Sequence, residues 1–254
     1  MKIYLHENNK GVYIQPYFPD RGDGRQVAAP TIVNKAERLP AALICPGGGY
    51  RLVGTTEGRP VSDKFTDAGY AAFILHYTIG DEADFGADGW AGFAPAQDLA
   101  SALRLLKDRA DEFGIDADKI VLAGFSAGAH LCAGSCFSGV LSEAGLMPKA
   151  LMLTYPMGGG PDSCGKFENP PHGLDIARMP YADDPAVKNL PVFMWHAKDD
   201  EMVPFAVAER LDARLTAEGV PHEFLIHEHG IHARPFYDPG WWPKALDWLS
   251  NVLQ

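Results

Sequence analysis

The sequence predicts an α/β fold built on a mainly parallel sheet, and three observations carry that prediction. Short apolar runs rich in β-branched and aromatic residues alternate with stretches of helical period. Most of those runs lack strict apolar/polar alternation, the pattern of strands covered by helices on both faces. The chain has 254 residues, 46% apolar and 22% charged. A chain of that size removes roughly 70–75% of its unfolded surface from water on folding, so the core needs no disulfide staples. No internal repeat, low-complexity tract or interdomain linker divides it, and residues 1–254 read as a single domain.

Taken in order, the runs near 2–5 and 11–18 read as an antiparallel edge hairpin leading into the sheet. Buried strands follow at 41–45 (AALIC), 70–77 (YAAFILHY), 119–123 (KIVLA), 149–155 (KALMLTY), 191–196 (PVFMWH) and 222–228 (HEFLIHE). With the hairpin that makes about eight strands, flanked by helices on both faces. Over 95–113, Leu99, Ala102, Leu103, Leu106, Ala110 and Phe113 recur at helical spacing, and Pro95 suits a first turn. Residues 204–218 repeat the design, with Pro204 at the start, Val207, Ala208, Leu211 and Leu215 inward and Gly219 as a stop. A last helix carries Trp242, Leu246, Leu249 and Leu253 on one stripe. The long irregular stretch 156–190, with Gly158, Gly159, Gly160 and several prolines, reads as an excursion overhanging the site.

Charge narrows the partners. Lys and Arg number 22 against 33 Asp and Glu, a net charge of −11 with histidine neutral. That field repels polyanions, and no basic stretch offsets it, so neither nucleic acid nor an anionic membrane surface is expected as a partner. Cys45, Cys132, Cys136 and Cys164 form no C-x-x-C pair and read as reduced thiols of a cytoplasmic protein. Cys132 and Cys136 share a helix face, where packing is the expected role. The first residues, MKIYLHENNK, lack the apolar core of a signal peptide.

Residues 124–128 are GFSAG, a G-x-S-x-G motif between the strand KIVLA and the apolar segment that begins at Ala129. A strand-to-helix turn this tight strains its apex and needs glycines on either side. Ser126 then projects from the sheet edge, and the following helix aims its free N–H groups and positive dipole end at the same place. His130 is expected to pack within that helix. A plain Gly/Ser turn capping a helix is the bland alternative. After the strand ending at Cys45 comes PGGGY, with Gly47, Gly48, Gly49 and Tyr50. Such a run lets the backbone approach a substrate and present N–H groups to a tetrahedral oxyanion. A phosphate cradle fails on detail, since no G-K-[ST] follows and the spacing is not G-x-G-x-x-G.

A serine nucleophile needs a base, and the base needs an orienting carboxylate. Residues 191–204 (PVFMWHAKDDEMVP) read as strand, acidic loop and helix start. Asp200, in D-x-x-V-P, is the preferred acid, with Asp199 the alternative. Beyond the last strand lie His227, His229 and His232. Strand alternation puts the first two on one face, while His232 falls in the loop after Gly230 and is the preferred base. A zinc site from H-x-H-x-x-H lacks an H-E-x-x-H helix and a nearby Cys set, and it leaves both glycine motifs unexplained; no metal or other cofactor is expected.

With PGGGY, GFSAG, DDEMVP and HGIH in that order, the chain resembles the α/β-hydrolase superfamily from about residue 40 to its end, in the order nucleophile, acid, histidine. It looks most like the esterase/lipase branch of small bacterial acetyl esterases and acetylxylan-esterase-like proteins. The resemblance implies an oxyanion hole at Gly48, Gly49 and Ala127. Many relatives have His before the glycines, where this chain has Pro46, which leaves the bracing of the loop open. The resemblance further implies hydrolysis of short-chain acyl esters by a Ser126–His232–Asp200 triad, with carbohydrate esters, small or oligosaccharide, as the expected substrates. An arylformamidase or another amidase or peptidase is the alternative on the same triad. Tyr50, Trp241 and Trp242 are candidates for a sugar platform, and Glu57 for a hydrogen bond to substrate hydroxyls. The tryptophans equally suit anchoring of the last helix, and Glu57 a first helical turn.

Overall fold

A computed structural model describes residues 1–19, 38–83, 88–159 and 175–254. Its strands are β1 (Ile3–Tyr4), β2 (Tyr13–Tyr17), β3 (Leu39–Cys45), β4 (Ala71–His76), β5 (Ile115–Phe125), β6 (Ala150–Thr154), β7 (Val192–Ala197) and β8 (His222–His227). They form one eight-stranded sheet in the order β1-β2-β4-β3-β5-β6-β7-β8. β1 and β2 are the expected edge hairpin, and β2 also runs antiparallel to β4. All pairings from β4 across to β8 are parallel. The sheet lies between helices on both sides: α1 (Arg59–Asp67), α2 (Gly89–Gly92), α3 (Ala94–Asp108), α4 (Ala110–Phe113), α5 (Ala127–Phe137), α6 (Val140–Glu143), α7 (Pro185–Lys188), α8 (Phe205–Glu218) and α9 (Trp241–Val252).

The missing alternation in the strands now has its physical cause. Leu43, Cys45, Phe73 and Leu122 pack into one core with Leu99 and Leu103 of α3, Leu131 of α5 and Leu211 of α8. Their neighbours Ala42, Ile44, Ala72, Val121 and Ala123 pack into a second core with Val61 and Phe65 of α1 and Trp241 and Leu249 of α9. Both faces are dry, so both sets of positions are apolar. The strands at the two sheet edges, β8 on one side and β1 with β2 on the other, are the partly exposed ones.

Most boundaries shift by one or two residues, and two differ by more. The helix over 95–113 is broken at Arg109, which leaves helical geometry and pairs with Glu112 while covering the Phe113 ring. Ala110 and Phe113 stay buried in α4, so the apolar period continues through a break it does not register. β5 starts four residues before Lys119, because Ile115 pairs with Leu39 across an irregularity in the ladder; Asp116 and Asp118 concealed this extension. Helices α2, α6 and α7, single turns of four residues, were not anticipated, and α1 begins at Arg59, just past the first turn that Glu57 suggested.

In α9 the Trp241 ring is stacked on Trp195 at 5.3 Å and Trp242 meets Phe65 edge-on at 5.0 Å. Replacing Trp241 by alanine is expected to cost about 3–5 kcal/mol, read as a lower urea midpoint with an unchanged slope. A midpoint equal to wild type would show that α9 is not anchored through this ring.

Of the 156–190 excursion, residues 160–174, with Gly160 and Cys164, lie outside the described residues. From Asp175 onward the chain packs on the helical layer: Tyr181 stacks on Phe137 at 4.5 Å, and the guanidinium of Arg214 of α8 lies over the Tyr181 ring at 4.7 Å. Cys45, Cys132 and Cys136 are buried and free. Among the described residues, no helix is long and apolar enough to cross a membrane.

Candidate active site

Ser126 sits between β5 and α5 with φ 52° and ψ −117°, a conformation unfavourable for any residue with a Cβ. Three backbone bonds hold it there. Its N–H donates to Thr154 O (3.0 Å), and its carbonyl accepts from His130 N (3.1 Å) and Met157 N (3.2 Å). The last of these brings the start of the 156–190 excursion beside the site. The flanking glycines are needed for space: a Cβ on Gly124 would lie 2.5 Å from Ala129 Cα, and one on Gly128 1.9 Å from Cys45 O. Close packing of α5 on β3 therefore sets the position of the turn, and the serine is 5% exposed.

The loop after β3 lies against this turn, since a Cβ on Gly47 would be 2.7 Å from Ser126 Cβ. Gly48 and Gly49 both have positive φ, 126° and 60°. Gly47 N–H is taken by the Glu57 carboxylate at 2.6 Å. Among the described residues, the N–H groups of Gly48, Gly49 and Ala127 meet no acceptor. Ala127 is the first residue of α5, where intrahelical partners are lacking by geometry. The bracing that Pro46 left open comes from Tyr77, whose hydroxyl donates to Pro46 O at 2.6 Å, and from Glu57.

The acidic loop follows β7. Asp200 Oδ1 accepts N–H bonds from Met202 (2.8 Å) and Val203 (2.9 Å), and Oδ2 accepts from His232 Nδ1 at 2.7 Å. His232 Nε2 lies 2.8 Å from Ser126 Oγ. The three predicted side chains are thus joined in one hydrogen-bonded series. Burial pushes the Asp200 carboxyl up. Hydrogen bonds from His196 and His232, the charge of His232 and the Val203 N–H outweigh that and hold it below the usual carboxylate range. Asp199 faces elsewhere: its oxygens take His229 Nδ1 and Gly230 N–H, both at 2.8 Å. His227 pairs with Asp238. The three histidines of H-x-H-x-x-H therefore go to three different carboxylates, and no metal-holding group of His, Cys, Asp or Glu occurs among the described residues.

The rim candidates require correction. Trp241 and Trp242 are 0% and 7% exposed, so they anchor α9 and present no platform to a sugar. Tyr50 is fully buried, with its hydroxyl 2.8 Å from His130 Nδ1. Glu57 precedes α1 rather than lying in its first turn, and at 1% exposure its carboxylate bonds to protein instead of solvent. The open space next to His232 is instead a cavity of about 570 Å³ lined by Asp199, Glu201, Met202, Gly230 and Ile231. Two residues near the triad carried no sequence signal for a role. His196 is buried with Nε2 3.4 Å from Asp200 Oδ2, and Tyr155 donates to Glu57 at 2.8 Å.

The sheet order, the serine turn and the comparisons with known proteins place the chain among the α/β hydrolases, and the proteins it is similar to include esterases. Residues 30–147 match the family model described as BD-FAE. An acetylxylan esterase from Xylanibacter ruminicola is 30% identical over 222 residues, covering 82% of this chain and 43% of that protein. Endo-1,4-β-xylanase B of Butyrivibrio fibrisolvens is 25% identical over 212 residues, covering 75% and 32%. The chain thus spans under half the length of these curated relatives. Among solved structures, an α/β-hydrolase enzyme from a Medee basin deep-sea metagenome library superposes with a TM-score of 0.76 at 28% identity, covering 100% of this chain and 97% of that one. An acetyl ester-xyloside bifunctional hydrolase from Caldicellulosiruptor lactoaceticus has a TM-score of 0.77 at 25% identity, covering 99% and 96%.

Proposed function

We propose that the protein is a serine esterase that hydrolyses short-chain acyl esters through an acyl-enzyme, with acetylated carbohydrates as its substrates. The observation that carries this reading is the continuous series Ser126 Oγ, His232, Asp200, with distances of 2.8 and 2.7 Å, beside a glycine loop and a helix start whose Gly48, Gly49 and Ala127 N–H groups meet no acceptor among the described residues. Ser126 Oγ attacks the ester carbonyl carbon as its proton passes to His232 Nε2. Asp200, an anion, holds Nδ1–H and favours the imidazolium that forms. The carbonyl oxygen becomes an oxyanion within reach of the N–H groups of Gly48, Gly49 and Ala127. The tetrahedral adduct collapses, His232 returns the proton to the departing alkoxide, and water repeats the sequence on the acyl-enzyme. None of these steps calls on a cofactor.

The choice of carbohydrate acetates is supported by the acetylxylan esterase relative and the acetyl ester-xyloside hydrolase neighbour. The test is a panel of p-nitrophenyl acetate, butyrate and octanoate, acetylated xylo-oligosaccharides and N-formylkynurenine. Turnover is expected to fall with acyl length, and acetate is expected to be released from the xylo-oligosaccharides. Preferential cleavage of N-formylkynurenine would replace the reading with an amidase on the same triad.

The two adjacent carboxylates make a sharper test. Asp200→Asn leaves the shape but removes the anion behind the imidazole, and kcat is expected to fall about 10³–10⁴-fold. Asp199→Asn is expected to change kcat by less than about tenfold, because that carboxylate orders the loop at Gly230 without touching His232. Equal losses would mean that the acid is misassigned.

A further inference from the structure

Burying a carboxylate is costly unless it is fully hydrogen-bonded, and Glu57 is buried to 1% exposure. The local chain is cut back to admit it: a Cβ on Gly47 or on Gly54 would lie 2.8 Å from Glu57 Oε2. Its two oxygens go to two parts of the active site. Oε2 accepts Gly47 N–H at 2.6 Å, at the root of the loop that carries Gly48 and Gly49. Oε1 accepts the Tyr155 hydroxyl at 2.8 Å. Tyr155 is itself held in an unusual backbone conformation, with φ 38°, and its N–H donates to Trp195 O at 2.7 Å. Its ring lies against the imidazole of His232, with centroids 4.6 Å apart and planes at 51°. Burial pushes the Glu57 carboxyl up, against the Tyr155 and Gly47 hydrogen bonds and the nearby charge of His232.

We propose that Glu57 and Tyr155 form a positioning pair that sets the distance between the oxyanion donors and the catalytic imidazole, one end gripping Gly47 N–H and the other the ring beneath His232. The proposal rests on the serine-esterase reading. Neither residue touches substrate. Without the pair, the glycine loop and the imidazole are located by separate parts of the fold, and small errors between them act on the transition state alone. A misplacement on the order of 1 Å is enough to cost about 10²-fold in rate.

Glu57→Gln keeps the shape but removes the charge and puts an amide N–H₂ in place of one acceptor, whereas Tyr155→Phe keeps the ring and removes the hydroxyl. Each variant is compared with wild type and Ser126→Ala by thermal midpoint, by active-site titration with a serine-directed phosphonate, by kcat and KM on p-nitrophenyl acetate, and by inhibition with an aryl trifluoromethyl ketone. Per titrated site, kcat is expected to fall roughly 10–100-fold with KM changed by less than about threefold, and ketone binding to weaken by the same factor as kcat/KM. A lower midpoint with kcat per titrated site within about threefold of wild type would overturn the proposal, since the pair would then serve stability alone. If Glu57→Gln fails to fold, Tyr155→Phe carries the same readings. If Ser126→Ala retains activity, the nucleophile assignment falls, and the proposal falls with it. That outcome is separable, because it does not depend on either new variant.

Discussion

Replacing Ser126 with alanine is expected to lower kcat on p-nitrophenyl acetate by a factor on the order of 10⁶ and to leave KM nearly unchanged. The hydroxyl forms a bond only during reaction, so its loss removes covalent catalysis without removing the cleft. The N–H groups of Gly48, Gly49 and Ala127 remain, and donors of that kind retain about 10³–10⁴-fold acceleration over water in the absence of a nucleophile. Covalent labelling by a phosphonate is expected to disappear in the same variant, as judged by intact mass. Retention of more than about a tenth of the activity would require a different nucleophile. No other serine or threonine among the described residues is hydrogen-bonded to His232.

The largest effect on stability is expected from Gly128→Ala. The added Cβ falls 1.9 Å from Cys45 O and 2.6 Å from Pro46 O, both of them backbone atoms that no side-chain rotation can move. Relief requires α5 to lift away from β3, which opens the core between Leu131 and Leu43. A loss of more than about 4 kcal/mol is expected, read as insoluble expression or a collapsed urea midpoint. Gly145→Ala provides the contrast. Nothing lies within 4 Å of its added Cβ, but φ is +68°, so only the conformational penalty of about 1–2 kcal/mol applies. Similar losses in the two variants would mean that close approach at Gly128 is not what the fold requires.

The serine turn was legible in the sequence because its cause is local. A glycine on each side of Ser126, a β-branched run before and an apolar run after leave few backbone paths, and the observed φ of 52° at Ser126 is one of them. The sheet was legible for the same reason: buried strands announce themselves by composition. The break at Arg109 was not, because the apolar spacing is identical on both sides of it. The rim was read wrongly because aromatic side chains near a site look the same in a sequence whether their faces meet solvent or other rings. Trp241 meets Trp195, which is 46 residues away in the chain by the difference of their numbers.

By itself the sequence determined the class of fold, the tight serine turn and the presence of a glycine loop, since each depends on residues within a few positions of one another and on the stereochemistry of glycine. Only the tertiary structure decided which carboxylate serves which histidine. Asp199 and Asp200 are neighbours in a turn, yet one is bonded to His229 and the other to His232. It also decided that Glu57 faces inward to Gly47 and Tyr155. Those pairings are distances between strand ends across a twisted sheet, set by how the two cores pack, and no local pattern of residues encodes them.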